Sequence, residues 1–247
     1  MARFVVVGGT GLIGSGVVRE LAVEGHDVLA ASRRTGVDTI TGAGLEEALS
    51  GAQTVVDATR PPSSYGNDAV FDFFTASTAN LLAAASEAGV RHHVAVTAVG
   101  TNHRQRIPYY AAKAAQETLV RESGLPYSLV HATQFFEFIG TIADVSTSEG
   151  TVRLPSALSR PIAAADVALA VAQIAAGPPV DGDVEIASPE VFGLDELVRR
   201  VLAARHDSRP VVQDEDAPYF GAPIEERTLL PAEDAQVFGT RLKEWIR

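Results

Sequence analysis

The stretch Val5–Gly16, V-V-V-G-G-T-G-L-I-G-S-G, constrains this chain more than any other. A β-branched run stops abruptly in glycines, and an amphipathic pattern follows, with Ile13, Val17 and Leu21 on one face beside Val18 and Ala22. That order reads as buried strand, tight turn and helix start. Gly8, Gly11 and Gly14 recur every third residue. Each spacing suits a dinucleotide pyrophosphate: Gly8 for the turn, Gly11 for close backbone approach, Gly14 for packing helix against strand. The first turn, Thr10 to Gly14 with Leu12 and Ile13, then offers backbone N–H groups and a positive dipole end to an anion. No Lys-Ser/Thr pair follows the glycines, so the motif is not a Walker P-loop.

At 247 residues, the chain is long enough for one large α/β domain, or one with a small appendage. A formal net charge of −11 argues against a nucleic-acid surface or an anionic membrane as partner. Without cysteine there is no disulfide, thiol nucleophile or thiolate metal site. Met1-Ala2-Arg3 enters the first strand at once, and no apolar run reaches spanning length. The expectation is a cytoplasmic protein with a small-molecule substrate, acting as monomer or homodimer.

Strand and helix signals alternate from the start, which requires a parallel sheet with right-handed crossovers. Strand signals cover Arg3–Val7 and Asp27–Ala31, with a helix over Leu12–Glu24 between them. The second strand ends in Ser32-Arg33-Arg34, where an NAD site would carry an acidic residue for the ribose hydroxyls. Two arginines and a serine favour NADP(H) over NAD(H), with Arg33 as the first contact to a 2′-phosphate and Ser32 and Arg34 assisting. Gly36–Thr41 reads as a short strand, Leu45–Leu49 as a short helix and Gln53–Ala58 as a buried strand broken by Arg60-Pro61-Pro62. Ala58 and Thr59, at a strand's carboxyl end, are expected to line the cofactor; Asp57 reads as a hydrogen-bonded structural carboxylate.

A long helix follows over Val70–Ala88, then a strand over Val94–Val99 after Arg91-His92-His93. Adjacent strand residues face opposite ways, so the paired histidines predict no metal site. Tyr109 and Lys113 form Y-x-x-x-K at a helix start, on one face. An ammonium beside a phenol favours the phenolate and lowers its pKa. With Thr97 holding a carbonyl oxygen, this makes a proton donor for hydride reduction or a base for the reverse, and Lys113 could also hold the nicotinamide ribose. Helix Tyr110–Ser123 and strand Leu125–Val130 lead into His131–Phe138, which is rich in aromatics. Thr133 is a cofactor candidate there, and Gln134, Phe135 and Phe136 are substrate candidates; core beneath a loop is the equal alternative for the aromatics.

The alternation then loosens. Val152–Leu154 is expected to pair with Arg160–Ala163. Ala165–Ala176 reads as a helix, Val184–Ala187 as a strand, and Leu194, Leu197, Val198, Val201 and Leu202 mark another helix. Asp207–Pro223 reads as loop or lid, and Pro231–Arg247 as a short amphipathic helix holding Trp245.

Across its length the chain resembles the atypical, NmrA-like NAD(P)H-binding branch of the short-chain dehydrogenase/reductase superfamily. The matching pieces are V-V-G-G-T-G-L-I-G, F-x-x-x-S-T-x-N-L-L-x-A-A, V-A-V-T-A-V-G-T, Y-Y-A-A-K-A-A-Q-E, S-G-L-P-Y-S-L-V-H-A-T-Q-F-F-E-F and A-D-V-A. The resemblance implies a Rossmann-type doubly wound parallel sheet in one domain over 1–247. Residues 1–132 form the cofactor-binding core, and 133–247 add core elements and a small substrate lobe. It implies reduction of a small carbonyl, quinone or activated double bond, with Tyr109 and Lys113 in the superfamily's catalytic positions. The serine position falls near Thr97-Ala98; if Ala98 fills it, the oxyanion contact is missing. In related aryl-ether reductases lysine alone handles the proton. The branch also holds cofactor sensors without turnover, many lacking the tyrosine, and the wider chemistry includes redox-neutral epimerases and dehydratases.

Overall fold

The computed structural model describes residues 2–61, 67–104 and 106–247; Met1 and Pro62, named above, lie outside them. In chain order the elements are β1 (Arg3–Val7), α1 (Leu12–Val23), β2 (Asp27–Ala31), α2 (Leu45–Leu49), β3 (Thr54–Asp57), α3 (Asn67–Glu87), β4 (His92–Ala98), α4 (Pro108–Glu122) and β5 (Tyr127–Ala132). Then come α5 (Ile139–Val145), β6 (Thr147–Ser148), β7 (Thr151–Leu154), β8 (Leu158–Ser159), α6 (Ala164–Ala176), β9 (Gly182–Ala187), β10 (Phe192–Gly193), α7 (Leu194–Ala204), β11 (Val211–Gln213), β12 (Gln236–Val237) and α8 (Leu242–Trp245).

Seven strands form one mostly parallel sheet in the order β12-β9-β5-β4-β3-β1-β2. The chain gathers into two compact units: Met1–His131 with Val167–Val184, and Ala132–Asp166 with Glu185–Arg247. In the first unit, β1 lies between β2 and β3, with Val5 opposite Leu29 and Val55. Strand β4 continues the sheet, with Asp57 opposite Ala95. Strands covered on both faces must be apolar throughout, which is why Phe4 to Val7 are all buried. Val5, Val7, Val55, Leu81 and Val90 close one core cluster with α2 and α3; Leu82, Ala95, Val120 and Leu129 form another. Gly16 on α1 meets α6 closely, since a Cβ there would lie 2.6 Å from the Ala168 Cβ.

The expected strand over Gly36–Thr41 is instead a turn. Its carbonyls find another donor: the Asn80 side chain of α3 donates to Thr39 O and Ile40 O, each at 2.9 Å. Asp38 completes the turn, accepting from Ile40 N at 2.9 Å. With β2 at the sheet's edge, no neighbouring strand is needed to satisfy this backbone.

In the second unit α7 buries Leu194, Leu197, Val198, Val201 and Leu202, the face its spacing predicts. The expected pairing of Val152–Leu154 with Arg160–Ala163 is not formed. Strand β7 pairs in parallel with β11 and antiparallel with β6. Arg160–Ala163 is not a strand; Ile162 bridges Phe135 instead, accepting from Phe136 N and donating to Gln134 O. The segment Asp207–Pro223 therefore contains a sheet strand, β11, as well as loop. Trp245 of α8 stacks on Phe136 and donates through Nε1 to Glu137 Oε1 at 2.9 Å. Among the described residues no helix is long and apolar enough to cross a membrane.

Candidate functional site

The glycine turn is built by exclusion. Gly8 has φ +79°, a left-handed conformation that side chains resist. A Cβ on Gly8 would sit 2.4 Å from Ala58 O, and one on Gly14 would sit 2.2 Å from Gly8 O. The turn is closed by Gly8 N–H donating to Ala31 O and Gly11 N–H donating to Gly8 O, both at 2.9 Å. Gly9 is as constrained as the triplet, with a Cβ 2.6 Å from Val6 O and 2.8 Å from Ala30 Cα. The G-G doublet is the sequence signal for Gly9, which lies outside the triplet's spacing. Gly11 caps α1 with extended backbone and no side-chain cap, so the N–H groups of Leu12, Ile13 and Gly14 keep their outward direction. Thr10, Gly11 and Leu12 are exposed. This cradle of bare backbone donors fits a diphosphate.

At the end of β2 the Ser32 N–H donates to Thr35 Oγ1 at 2.8 Å, fixing a short helical turn over Arg33–Thr35. Arg33 and Arg34 are exposed there, and neither makes an ion pair among the described residues. At the end of β3, Ala58 N–H donates to Val7 O at 2.9 Å, and Thr59 N–H to Asp57 Oδ1 at 2.9 Å. Asp57 is buried and hydrogen-bonded, as read from the sequence. Ala58 and Thr59 are half-buried, and among the described residues Thr59 Oγ1 has no partner.

The β4–α4 face is built by inclusion. Lys113 is 3% exposed. Its Nζ donates to Val96 O and Gln116 Oε1, each at 2.8 Å, and lies 4.2 Å from the centre of the Phe74 ring. Burial lowers its pKa from 10.5 to about 8, against the carboxylates of Asp57 and Glu117, which raise it. Gln116 Nε2 donates to Asp57 Oδ2 at 2.9 Å. One turn further, the fully buried Glu117 accepts from Thr97 Oγ1 and, at 3.1 Å, from Thr101 Oγ1. His131 lies 3.8 Å from Glu117 and 3.7 Å from Asp183, and these carboxylates raise its pKa against desolvation.

Thr97 therefore does not take the expected position: its one hydroxyl proton goes to Glu117, beneath α4. Tyr109 also differs from expectation. Its residue stays 41% exposed, with its ring edge-on to Phe74 and Tyr110. Desolvation of the phenol, then the neighbouring Tyr110, push its pKa up, and Arg60 opposes them. Lys113 is not among the groups that set this pKa, and its ammonium turns to Val96, Gln116 and Phe74. Gln116 and Glu117 were missed as partners. Their signal was a run of polar residues, Lys113, Gln116 and Glu117, on a helix face otherwise carrying Ala112 and Val120.

His92 and His93 have different surroundings. His92 Nε2 lies 2.9 Å from Ser128 Oγ. Neither ring nitrogen of His93 has a partner among the described residues, and burial lowers its pKa to about 4. Among the described residues no group of three metal-binding side chains assembles.

In the second unit Thr133 is buried, with its N–H donating to Ile186 O at 3.3 Å and its hydroxyl without a partner among the described residues. Gln134 Oε1 accepts from Ser159 Oγ at 3.2 Å. Phe135 stacks on Phe138 at 5.5 Å, both rings partly open. Phe136 does not fit a substrate wall: it is fully buried and packs on Trp245 as core.

A model of the NAD(P)H-binding family matches residues 8–178. No curated protein sequence matches this chain. Among solved structures, dTDP-4-dehydrorhamnose reductase from Bacillus anthracis with NADP superimposes with a TM-score of 0.70 at 14% identity, covering 90% of this chain and 88% of that one. The NADPH complex of quinone oxidoreductase QOR2 from Escherichia coli gives 0.62 at 19%, covering 85% and 77%. WbmH from Bordetella bronchiseptica with NAD+ gives 0.71 at 15%, covering 100% and 96%. Likeness at such identity shows the Rossmann-like fold.

Proposed function

The chain belongs to the NAD(P)H-binding family, and from that premise we propose that it is an NADPH-dependent oxidoreductase that reduces a small carbonyl, quinone or activated double bond. The observation that carries the reading is Lys113, a buried cation whose pKa of about 8 suits proton exchange near neutrality. The glycine cradle would hold the diphosphate, and Arg33 with Arg34 the 2′-phosphate. When bound, the reduced nicotinamide supplies hydride. Val96 O and Gln116 Oε1 take two of the Lys113 N–H groups, and the third, on the Phe74 ring and with no oxygen partner among the described residues, would turn to the acceptor oxygen. The Tyr109 hydroxyl, its pKa pushed up, stays protonated and serves as a hydrogen-bond donor beside it.

One observation favours a second reading, a nucleotide sensor without turnover: the Thr97 hydroxyl proton is engaged by Glu117. The experiment is NADPH oxidation against a panel of quinones, ketones and enones, with NADPH binding followed by fluorescence. Turnover that falls by about 10²-fold or more in Lys113→Met supports the reductase. Binding with no turnover across the panel gives the sensor. No binding of either nucleotide overturns both.

A further inference from the structure

The chain carries twenty lysines and arginines together, and only Lys113 and Lys243 are lysine. Among the described residues, the one cation bridged to a buried carboxylate through an amide is thus a residue that can lose its proton, where arginine could not. The surroundings of that ammonium are specific. A carboxylate can only accept, and an ammonium can only donate. Gln116 lies between them: Nε2 donates to Asp57 Oδ2 at 2.9 Å, and Oε1 accepts from Lys113 Nζ at 2.8 Å. This polarity leaves the amide one orientation. The other Asp57 oxygen accepts from Thr59 N–H at 2.9 Å, so the carboxylate is held from two directions.

We infer that Asp57 and Gln116 are positioning residues for Lys113, a relay on β3 and α4 that aims the ammonium and sets its charge state. The inference rests on the reductase reading for its purpose, but not for its geometry. The charged groups bearing on Lys113 are few. Asp57 faces it from β3 and Glu117 from its own helix, both favouring the cation. On α4, Tyr109 stays neutral, its pKa pushed up. Val96 contributes only a carbonyl from β4, and Phe74 a ring face from α3. His93 on β4 also bears on Asp57; with its pKa lowered to about 4 it is neutral at working pH and leaves the Asp57 charge uncompensated. Glu117 is already engaged by Thr97, Thr101 and Arg121. Asp57 has no salt-bridge cation among the described residues; its charge favours the ammonium, and Gln116 bridges the two by hydrogen bonds.

With two lysines in the chain, [13Cε]-lysine labelling of the full-length protein gives two resonances, and Lys243→Arg assigns them. In wild type the Lys113 signal is expected to titrate near pH 8. Asp57→Asn keeps the shape and removes the charge; Gln116→Leu removes the acceptor. Both are expected to lower the Lys113 midpoint by about one pH unit, and the pH profile of turnover should move with it. Gln116→Glu places a carboxylate against the ammonium and is expected to raise the midpoint, which keeps the question answerable if Gln116→Leu does not fold. Unchanged titration in Asp57→Asn and Gln116→Glu overturns the relay, whatever turnover does. Shifted titration together with full turnover in Lys113→Met keeps the relay and removes the catalytic reading instead.

Discussion

At the amino end of α1 the chain withholds side chains; on the β4–α4 face it packs polar ones where water cannot reach. The first region works through backbone N–H groups that any sequence supplies, provided nothing covers them. The second works through Lys113, Gln116, Asp57 and Glu117, each of which has to be satisfied by another. A backbone donor array tolerates few substitutions but needs no partner. A buried side-chain network needs every partner, and in return it can move a pKa. In the proposed function the two regions divide the work: one would seat an anion, the other would tune a proton.

The largest expected effect comes from replacing Lys113 with Arg. The charge remains but cannot be given up near neutral pH, so turnover should fall by about 10²- to 10⁴-fold, as in Lys113→Met. An active Lys113→Arg would mean that this face needs only a positive charge, and the contrast with the glycine turn would dissolve.

Next is His93. Its pKa is lowered from 6.5 to about 4 by burial, so the unfolded chain takes up this proton first as pH falls. The contribution to stability is intact above about pH 6.5 and is lost as pH falls toward 4. It amounts to about 3 kcal/mol by linkage. His131, raised by Glu117 and Asp183, behaves oppositely: its contribution is full below 6.5 and declines at higher pH. Urea unfolding at stepped pH should show a decline between pH 6.5 and 4 that His93→Leu flattens. An unchanged slope would show that His93 is not held neutral.

The glycine turn can be probed by paired alanines. In Gly14→Ala the Cβ meets Gly8 O at 2.2 Å, which should cost about 1–3 kcal/mol and weaken nucleotide binding. At Gly25, φ is +83° with nothing within 4 Å of a Cβ, so Gly25→Ala should cost only about 1 kcal/mol of backbone strain and leave binding intact. Equal binding losses would show that the turn's shape is not what seats the anion. The smallest effect is expected at the exposed arginines: Arg33→Ala should weaken NADPH by about tenfold, about 1.4 kcal/mol, and NADH much less. Calorimetry showing equal losses would remove the cofactor preference.

Much of the frame was legible because strong local signals coincide with it. Arg3–Val7 read directly as β1, since a strand covered on both faces is apolar without interruption, and Asp27–Ala31 read as β2, an edge strand with only Ala31 fully buried. Weak signals failed where a distant side chain decided the outcome. Nothing local in Gly36–Thr41 announces that Asn80, forty residues on, takes its carbonyls. Nothing local in Val152–Leu154 announces that β11 will be its partner. Two aromatic neighbours, Phe135 and Phe136, also look alike in sequence. One packs on Trp245, far along the chain, and the other stacks on Phe138 three residues on.

The sequence by itself determined the alternating sheet, the bare first turn of α1 and the pair Tyr109 and Lys113 on one helix. These follow from period, glycine placement and i,i+4 spacing, all of which are local. The tertiary structure alone decided which way Thr97 faces, that Lys113 is held by Gln116 and Val96, and that its ammonium is desolvated. Desolvation depends on everything packed around a group, and no window of sequence contains its own surroundings.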